Sequence, residues 1–181
     1  MKHPLNFNWF FIANFNDEYI RKTPANSTLV DLPHNMVDFP FNYFDEKIFE
    51  TQGTYIKEIT LNEVTKDRLY ILRFEGVNNA FDLYINEAHV GSFTRPYIEE
   101  NINIFVKEGN NRIVVKVNGT HAVNAPPFGN TVDFFPFSGI YREVSLLIYD
   151  SLALLDLKID ARSDGKVTLK PKIRNINNEN Y

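Results

Sequence analysis

Apolar residues recur at every second position along much of the chain, which is the period of a β-strand with one buried face. The stretches 81–85 and 112–117 alternate in this way, and 69–74 is a nearly continuous apolar run that is typical of a central strand. Breaker residues divide these stretches at short intervals, and 44–50 is expected to add one short helical turn. The pattern predicts an all-β fold, either a sandwich or a barrel. The residues expected to face its core include Phe81, Leu83, Ile85, Ile113, Val115 and Val117.

Two long segments, 33–52 and 120–138, have no regular period and are rich in proline, asparagine and aromatic residues. Most connections in compact domains are shorter, so loops of this length are usually functional or covered by a neighbouring element. The two segments are therefore the first places in which to look for functional residues.

The character of the chain changes after residue 149. The stretch 155–159 alternates, Asp164-Gly165 is a hairpin turn signal, and 167–173 forms the return strand. A two-stranded hairpin is only marginally stable alone. We therefore predict two units, 1–149 and 150–181, and the family resemblance given below implies that the second is the truncated start of a further domain. The alternative is a complete protein whose C-terminal hairpin packs back on the first unit.

Arg142 interrupts an aliphatic series. The alternation that begins at Ile140 places this arginine on the same face as Val144, Leu146 and Ile148. An arginine on such a face needs either a paired charge or a route for its guanidinium to water. One interpretation is a surface arginine at a sheet edge. The interpretation we favour is a buried, paired arginine that supports the loop carrying Asp133.

Composition narrows the class of protein. The 181 residues are enough for one ordinary domain, or for one domain and part of another. Aromatic residues make up 14%, which suits a β-sandwich core together with an aromatic ligand surface. The formal net charge is −4 and no basic cluster occurs, so nucleic acid is not expected as a partner.

Metal, disulfide and membrane features are not expected either. The chain has no cysteine, and its histidines, at positions 3, 34, 89 and 121, lack metal-ligand spacing. No apolar run approaches the ~18 residues that a membrane helix needs, and the N-terminus lacks a hydrophobic signal core. A cytoplasmic location is the expectation.

Several short motifs follow one another along the chain. They are Leu32-Pro33-His34-Asn35, Gly53-Thr54-Tyr55, Phe74-Glu75-Gly76-Val77-Asn78-Asn79-Ala80-Phe81, the strand and turn from Leu83 to Gly91, Gly109-Asn110-Asn111 and the stretch from Asp133 to Arg142. In this order they resemble the N-terminal sugar-binding domain of glycoside hydrolase family 2, which includes β-galactosidases and β-glucuronidases, across about residues 5 to 149. The resemblance implies a jelly-roll β-sandwich of the galactose-binding type, followed by the first strands of an immunoglobulin-like domain.

Two positions depart from the family pattern. Glu87 stands where the family usually has the glycine of an Asn-Gly turn, and a type I′ turn requires positive φ at both central residues. We therefore expect a longer loop, with Glu87 and Ala88 outside the tight turn. Asn35 stands in place of the usual aspartate.

The resemblance also implies an activity. Family members hydrolyse a terminal β-glycoside with retention, and two glutamates of a (β/α)₈ barrel act as nucleophile and acid/base. This chain has no alternating strand and helix pattern, so we expect no barrel, no catalytic residue and no activity of the fragment alone. The Asn-Glu pairs at 62–63, 86–87 and 178–179 are therefore given no catalytic role.

Two residues are expected to reach the sugar. In β-galactosidase-like members, the aspartate at the position of Asp133 binds hydroxyls of the terminal sugar and helps to ligate sodium. Asn42 is the second substrate-binding candidate, because family members carry an asparagine near this point. The competing interpretation is that Asp133 caps nearby backbone amides and that Asn42 is a turn residue. For Phe128, Phe134, Phe135 and Phe137, core and interdomain packing is favoured over stacking on a sugar.

The resemblance sets the expected partners. They are the remainder of the same polypeptide, with its immunoglobulin-like and barrel domains, and a terminal β-galactoside or related sugar. A homo-oligomer is expected at full length, no cofactor in the fragment, and sodium or magnesium in the full-length enzyme. The alternatives are a stand-alone carbohydrate-binding module and a purely structural packing or oligomerisation domain.

Overall fold

The computed structural model describes residues 1–38, 42, 45–120 and 134–175. These residues form β-strands and two 3₁₀ turns, Asp17–Ile20 and Glu46–Phe49. The all-β prediction is confirmed, as are the central strand at 69–74 and the short helical turn. The strands are β1 Lys2–Pro4, β2 Trp9–Ile12, β3 Thr28–Val30, β4 Gln52–Leu61, β5 Leu69–Phe74, β6 Val77–Asn78, β7 Ala80–Ile85, β8 Ala88–Phe93, β9 Glu100–Asn103, β10 Gly109–Asn118, β11 Gly139–Ile140, β12 Val144–Tyr149, β13 Leu152–Ala161 and β14 Val167–Asn175.

Two antiparallel sheets make up the first unit. One has four strands in the order β1-β12-β5-β9, and the other has six in the order β3-β2-β4-β10-β7-β8. A short pair, β11 with β6, lies apart from both sheets, and β13 pairs only with β14 among the described strands. Strands distant in sequence are neighbours in both sheets, as in a jelly-roll sandwich.

The core lies between the two sheets and follows the predicted alternation. Burying such side chains supplies most of the favourable free energy of folding, at about 1.5–3 kcal/mol for each large aliphatic or aromatic residue. Trp9 and Tyr55 are completely buried, with their rings 6.5 Å apart edge to face. All six residues predicted to face the core are buried. Further buried members of the cluster are Phe11, Tyr70, Leu72, Phe74, Ile102, Val144 and Leu146.

The outward face of the six-stranded sheet is partly covered as well. Ile56 and Val114 pair across β4 and β10 on this face, yet their exposures are 0% and 1%. The segment between β2 and β3 lies over it: the Phe15 ring stacks on Tyr84 at 6.3 Å, and the Lys116 ammonium is 4.5 Å from the Phe15 centroid. This cover explains why β10 is apolar at Val114, where simple alternation expects a polar residue.

Arg112 is a partly buried arginine that anchors a loop. Its guanidinium donates to the carbonyls of Tyr19 and Ile20 at 2.9 and 3.0 Å, which fixes the covering segment onto β10. It also donates to Thr23 Oγ1 at 3.0 Å and to Glu58 Oε1 at 2.9 Å. The side chain is 12% exposed, so its bonds to the two carbonyls and to Thr23 are partly shielded from water, whereas the Glu58 side chain is 47% exposed.

Arg142, by contrast, is exposed, and the prediction of a buried, paired guanidinium is wrong. The alternation does not continue from Ile140 to Val144, because the chain changes partners between them: β11 pairs with β6, and β12 pairs with β5 and β1. Arg142 lies in the bend between β11 and β12, with its Cζ 5.5 Å from the centroid of the Tyr141 ring. Its predicted support of the Asp133 loop concerns a residue outside the described ones and stays a prediction.

The turn between β7 and β8 also differs from expectation. Ile85 pairs with Ala88, so Asn86 and Glu87 are the two central residues of a tight turn, with φ of 48° and 73°. The expected longer loop is wrong because contacts from elsewhere hold the turn. Asn86 Oδ1 accepts from the Arg112 amide at 3.0 Å, and Glu87 Oε2 pairs with Arg21 Nε at 2.9 Å.

The β13–β14 hairpin forms as the sequence predicts, with its turn at Gly165 (φ 83°). Many of its apolar side chains are exposed, so they do not pack on the described part of the sandwich. The assignment of 150–181 to an immunoglobulin-like domain stays a prediction. The exposed residues are Leu152, Leu154, Leu157, Ile159, Val167, Leu169 and Ile173.

Candidate functional site

The two long irregular segments meet at their described ends. The His34 amide donates to the carbonyl of Ile140 at 2.8 Å, and the Met36 amide donates to the carbonyl of Ser138, also at 2.8 Å. The start of segment 33–52 therefore runs beside the end of segment 120–138. These backbone bonds join residues about a hundred positions apart in sequence, and they bring both predicted functional segments to one place on the sandwich.

The side chain of Asn35 reinforces this junction. Its Oδ1 accepts from the Ser138 amide at 3.2 Å, and its Nδ2 donates to the carbonyl of Val37. An aspartate could accept from Ser138, but its ionised carboxylate has no N–H to donate to Val37. An asparagine therefore suits position 35 better than the aspartate usual in the family, because its amide group bonds to both segments at once.

A buried tyrosine supports the junction from the core side. Tyr55 Oη is 2.8 Å from His34 Nδ1, and the Tyr55 ring contacts Phe11 at 4.9 Å. Burial raises the pKa of Tyr55 well above its usual range, so the hydroxyl keeps its proton. Burial also lowers the pKa of His34, an effect that the nearby Asp38 carboxylate opposes. We therefore regard the pair as a neutral hydrogen-bonded support.

Gly139 makes this close packing feasible. A Cβ atom there would lie 2.5 Å from the His34 carbonyl oxygen and 2.8 Å from Tyr55 Oη. The residue also has φ of 135°, a value that side chains rarely adopt. Only glycine satisfies both requirements at this position.

Two consecutive buried asparagines hold the ends of the second segment. Asn78 Nδ2 donates to the carbonyl of Phe137 at 2.7 Å, and Asn79 Nδ2 donates to the carbonyl of Thr120 at 3.3 Å. The Asn79 amide also donates to the carbonyl of Asn118 at 3.2 Å. Asn78 and Asn79 were not singled out from the sequence. The available signal was a polar pair between apolar residues in the Phe74 to Phe81 motif.

Aromatic rings surround the end of the second segment. Phe134 and Phe135 are 50% and 45% exposed, and the Phe134 ring meets Tyr97 edge to face at 6.2 Å. Phe137 packs on the buried Phe49 ring at 5.2 Å. The predicted packing role therefore fits Phe137, whereas Phe134 and Phe135 present half of their surface to solvent. Phe128 lies outside the described residues.

Of the two predicted sugar-binding residues, the structure describes Asn42 but not Asp133. Asn42 is exposed in a bend, while its neighbours 39–41, 43 and 44 lie outside the described residues. Asp133 also lies outside them. The structure thus brings together the described ends of the two segments but does not test the two side chains.

Among the described residues, no group of three or more histidine, cysteine, aspartate or glutamate side chains is placed to hold a metal ion. None of the described helical segments is long and apolar enough to cross a membrane.

Comparisons with known proteins agree with this architecture. The family model described as "Glycosyl hydrolases family 2, sugar binding domain" matches residues 23–149. A β-galactosidase of Thermoanaerobacterium thermosulfurigenes is 30% identical over 185 residues, a match that covers 97% of this chain and 26% of the relative. A β-galactosidase of Thermoanaerobacter pseudethanolicus is 34% identical, with 84% and 22% covered.

A solved structure has a similar fold. The β-glucuronidase of an uncultured Clostridium species superposes with a TM-score of 0.79 at 20% identity, covering 96% of this chain and 34% of that one. At this identity the likeness concerns the fold alone. The chain spans about a quarter of the length of the curated relatives it matches (26% and 22%).

Proposed function

Because the chain belongs to glycoside hydrolase family 2 as its sugar-binding domain, we propose that it forms one wall of the terminal-sugar pocket in a retaining β-galactosidase. The two relatives named above are β-galactosidases, at 30% and 34% identity, and a β-glucuronidase of Bacteroides fragilis is 32% identical, so the relatives support a β-glycoside and do not choose between a galactoside and a glucuronide. In this proposal the remainder of the polypeptide is the main partner and carries the catalytic barrel.

The observation that carries the proposal is the meeting of the two irregular segments. His34 and Met36 bond to Ile140 and Ser138, and the Asn35 amide bridges the same backbones. Asn42 follows this junction in one segment, and Asp133 precedes it in the other. The two candidate sugar-binding residues are distant in sequence, but the segments that carry them are hydrogen-bonded to each other at this junction.

The residue types suit a sugar. A carboxylate accepts hydrogen bonds from hydroxyls at either oxygen, and its charge strengthens them. An exposed asparagine such as Asn42 can both donate and accept. The half-exposed rings of Phe134 and Phe135, which follow Asp133 directly in sequence, offer apolar surface. Asp133 and Asn42 would bind and orient the terminal sugar, and neither would attack it.

Catalysis would come from the remainder of the polypeptide. Retention requires two carboxylates about 5–5.5 Å apart, one acting as nucleophile and the other as acid and base. The exposed apolar face of the β13–β14 hairpin supports a continuing second domain, since an isolated hairpin is marginal in water. Sodium, if bound, would depend on Asp133 and on residues outside the described ones, and no step of the proposal relies on it.

In the natural full-length polypeptide, Asp133→Asn is expected to keep the fold and lower kcat/KM on a nitrophenyl β-galactoside by roughly ten- to a hundredfold. The amide removes the charge and replaces one acceptor with a donor, so at least one sugar hydroxyl loses its partner. Such a charged hydrogen bond contributes roughly 1.5–3 kcal/mol, which sets the expected range if the contact exists in the transition state.

A matched control is Asp164→Asn, because this exposed aspartate lies in the hairpin turn and accepts from the Lys166 amide at 3.0 Å. It should leave kcat/KM unchanged. Equal kcat/KM for the Asp133 variant and the parent, at equal thermal stability, would show that Asp133 does not contact the sugar.

The 181-residue chain alone is expected to hydrolyse no nitrophenyl β-galactoside above background, because neither catalytic carboxylate is predicted within it. The measurement is release of nitrophenol by the purified chain. Turnover that a substitution within the chain abolishes would contradict the proposal. A coding sequence that stops at Tyr181 would instead support a stand-alone carbohydrate-binding module.

A further inference from the structure

Asn78 and Asn79 stand between the two ends of the second irregular segment. Asn78 Nδ2 lies 2.7 Å from the carbonyl oxygen of Phe137 and 3.5 Å from that of Pro136. Asn79 Nδ2 lies 3.3 Å from the carbonyl oxygen of Thr120. One asparagine therefore holds the C-terminal end of the segment, and its immediate neighbour holds the N-terminal end.

Backbone pairing fixes the two asparagines themselves. Asn78 pairs with Gly139 between β6 and β11, and the Asn79 amide donates to the carbonyl of Asn118 at the end of β10. Both residues are only 5% exposed, so water competes little for their amide hydrogens. The contacts thus join backbone-paired strands of the sandwich to the described ends of the segment that carries Asp133.

We propose that Asn78 and Asn79 are positioning residues, which set the placement of the 120–137 segment and, through it, of the sugar-binding aspartate. This rests on the proposed function in so far as Asp133 binds sugar. Neither asparagine touches the reacting atoms. Their effect is exerted through the carbonyls of Thr120 and Phe137.

Each asparagine makes a side-chain hydrogen bond through its Nδ2 donor. Among the described residues, neither Asn78 Oδ1 nor Asn79 Oδ1 has a hydrogen-bond partner, although both atoms are buried. Replacing asparagine with leucine keeps a similar shape and removes both the Nδ2 donor and the Oδ1 acceptor. Because the carbonyls of Phe137 and Thr120 then lose a hydrogen-bond partner, each leucine variant should be less stable than the parent while remaining folded.

In these variants the segment should lose the side-chain bond at Phe137 or at Thr120, while its other contacts remain. A contact that fixes geometry affects binding strongly, since displacement by about 1 Å can cost roughly a hundredfold in rate. We expect KM for a nitrophenyl β-galactoside to rise by roughly ten- to a hundredfold in Asn78→Leu, and by less in Asn79→Leu, whose bond is longer. The melting temperature should fall in both variants, because a carbonyl loses its donor in each, so KM and the exchange of 120–137 are the deciding measurements.

The experiment uses the natural full-length polypeptide that contains this chain. For Asn78→Leu and Asn79→Leu it measures kcat, KM, thermal stability and hydrogen–deuterium exchange of peptides covering 120–137. The control is Asn86→Asp, which removes an amide donor to Asn111 Oδ1 (2.9 Å) in the β7–β8 turn. This control should lower thermal stability while leaving KM and exchange in 120–137 unchanged.

Faster exchange confined to 120–137, together with a raised KM, supports the proposal. Unchanged exchange in both leucine variants overturns it, as does faster exchange with unchanged kinetic constants. Should one variant fail to fold, the other still decides the question, because each holds a different end. If Asp133→Asn also leaves kcat/KM unchanged, the proposed function has failed. If Asp133→Asn lowers kcat/KM and the leucine variants do not, only the positioning role has failed.

Discussion

Gly139→Ala should lower the free energy of unfolding by at least about 3 kcal/mol, because it combines a backbone penalty with a clash. The φ of 135° is a region that side chains rarely adopt, and the new Cβ would lie 2.5 Å from the His34 carbonyl oxygen. That oxygen cannot easily retreat, since the His34 amide is bonded to Ile140 at 2.8 Å. The measurement is urea denaturation of the variant and the parent chain.

Gly109→Ala separates the two causes. Gly109 also has positive φ, 81°, but a Cβ there would meet nothing within 4 Å. It should therefore cost only the backbone penalty of about 1–2 kcal/mol. Equal losses in the two alanine variants would mean that the packing of His34 against Gly139 is looser than the structure shows.

The regular elements were predictable because their determinants are local in sequence. Strands β5 and β7 bury residues at every second position, and the period is visible without tertiary information. The Asp164-Gly165 turn is also determined locally. Gly165 readily adopts its positive φ of 83°, and aspartate is a common turn residue. For such elements pattern and structure agree.

The Arg142 prediction failed because alternation was extended across a change of strand partner. Ile140 belongs to β11 and Val144 to β12, and nothing in the apolar pattern marks the break between them. The expected loop at Glu87 failed for a related reason. Arg112 and Arg21 are distant in sequence, and their contacts with Asn86 and Glu87 hold a turn that the local residues alone disfavour.

For the candidate site, the sequence predicted which segments form it but not the contacts that hold them together. The lengths of 33–52 and 120–138 identified both as functional candidates, and the family motifs singled out Asp133 and Asn42 within them. How the segments are anchored depends on contacts such as Asn35 with Ser138, 103 residues apart. Such irregular backbone has no period, so its partners cannot be inferred from the sequence of either segment alone.

Arg112→Ala is expected to destabilise the chain by about 3 kcal/mol, the upper end of the range for a charged hydrogen bond, since several are lost together. The guanidinium is 12% exposed and donates to the Tyr19 and Ile20 carbonyls, to Thr23 and to Glu58. These bonds fix the segment that covers Ile56 and Val114. Its release would expose both side chains, so packing is lost along with the hydrogen bonds.

Arg142→Ala is the matched control, because Arg142 is exposed and its described contact is with the neighbouring Tyr141 ring. A surface substitution of this kind usually changes stability by under ~0.5 kcal/mol. Arg112→Lys refines the test, since one ammonium cannot reproduce the planar geometry of several guanidinium donors and should recover only part of the loss. The measurement is the denaturation midpoint of all three variants. A midpoint for Arg112→Ala that matches that of Arg142→Ala would show that the covering segment is held by packing alone.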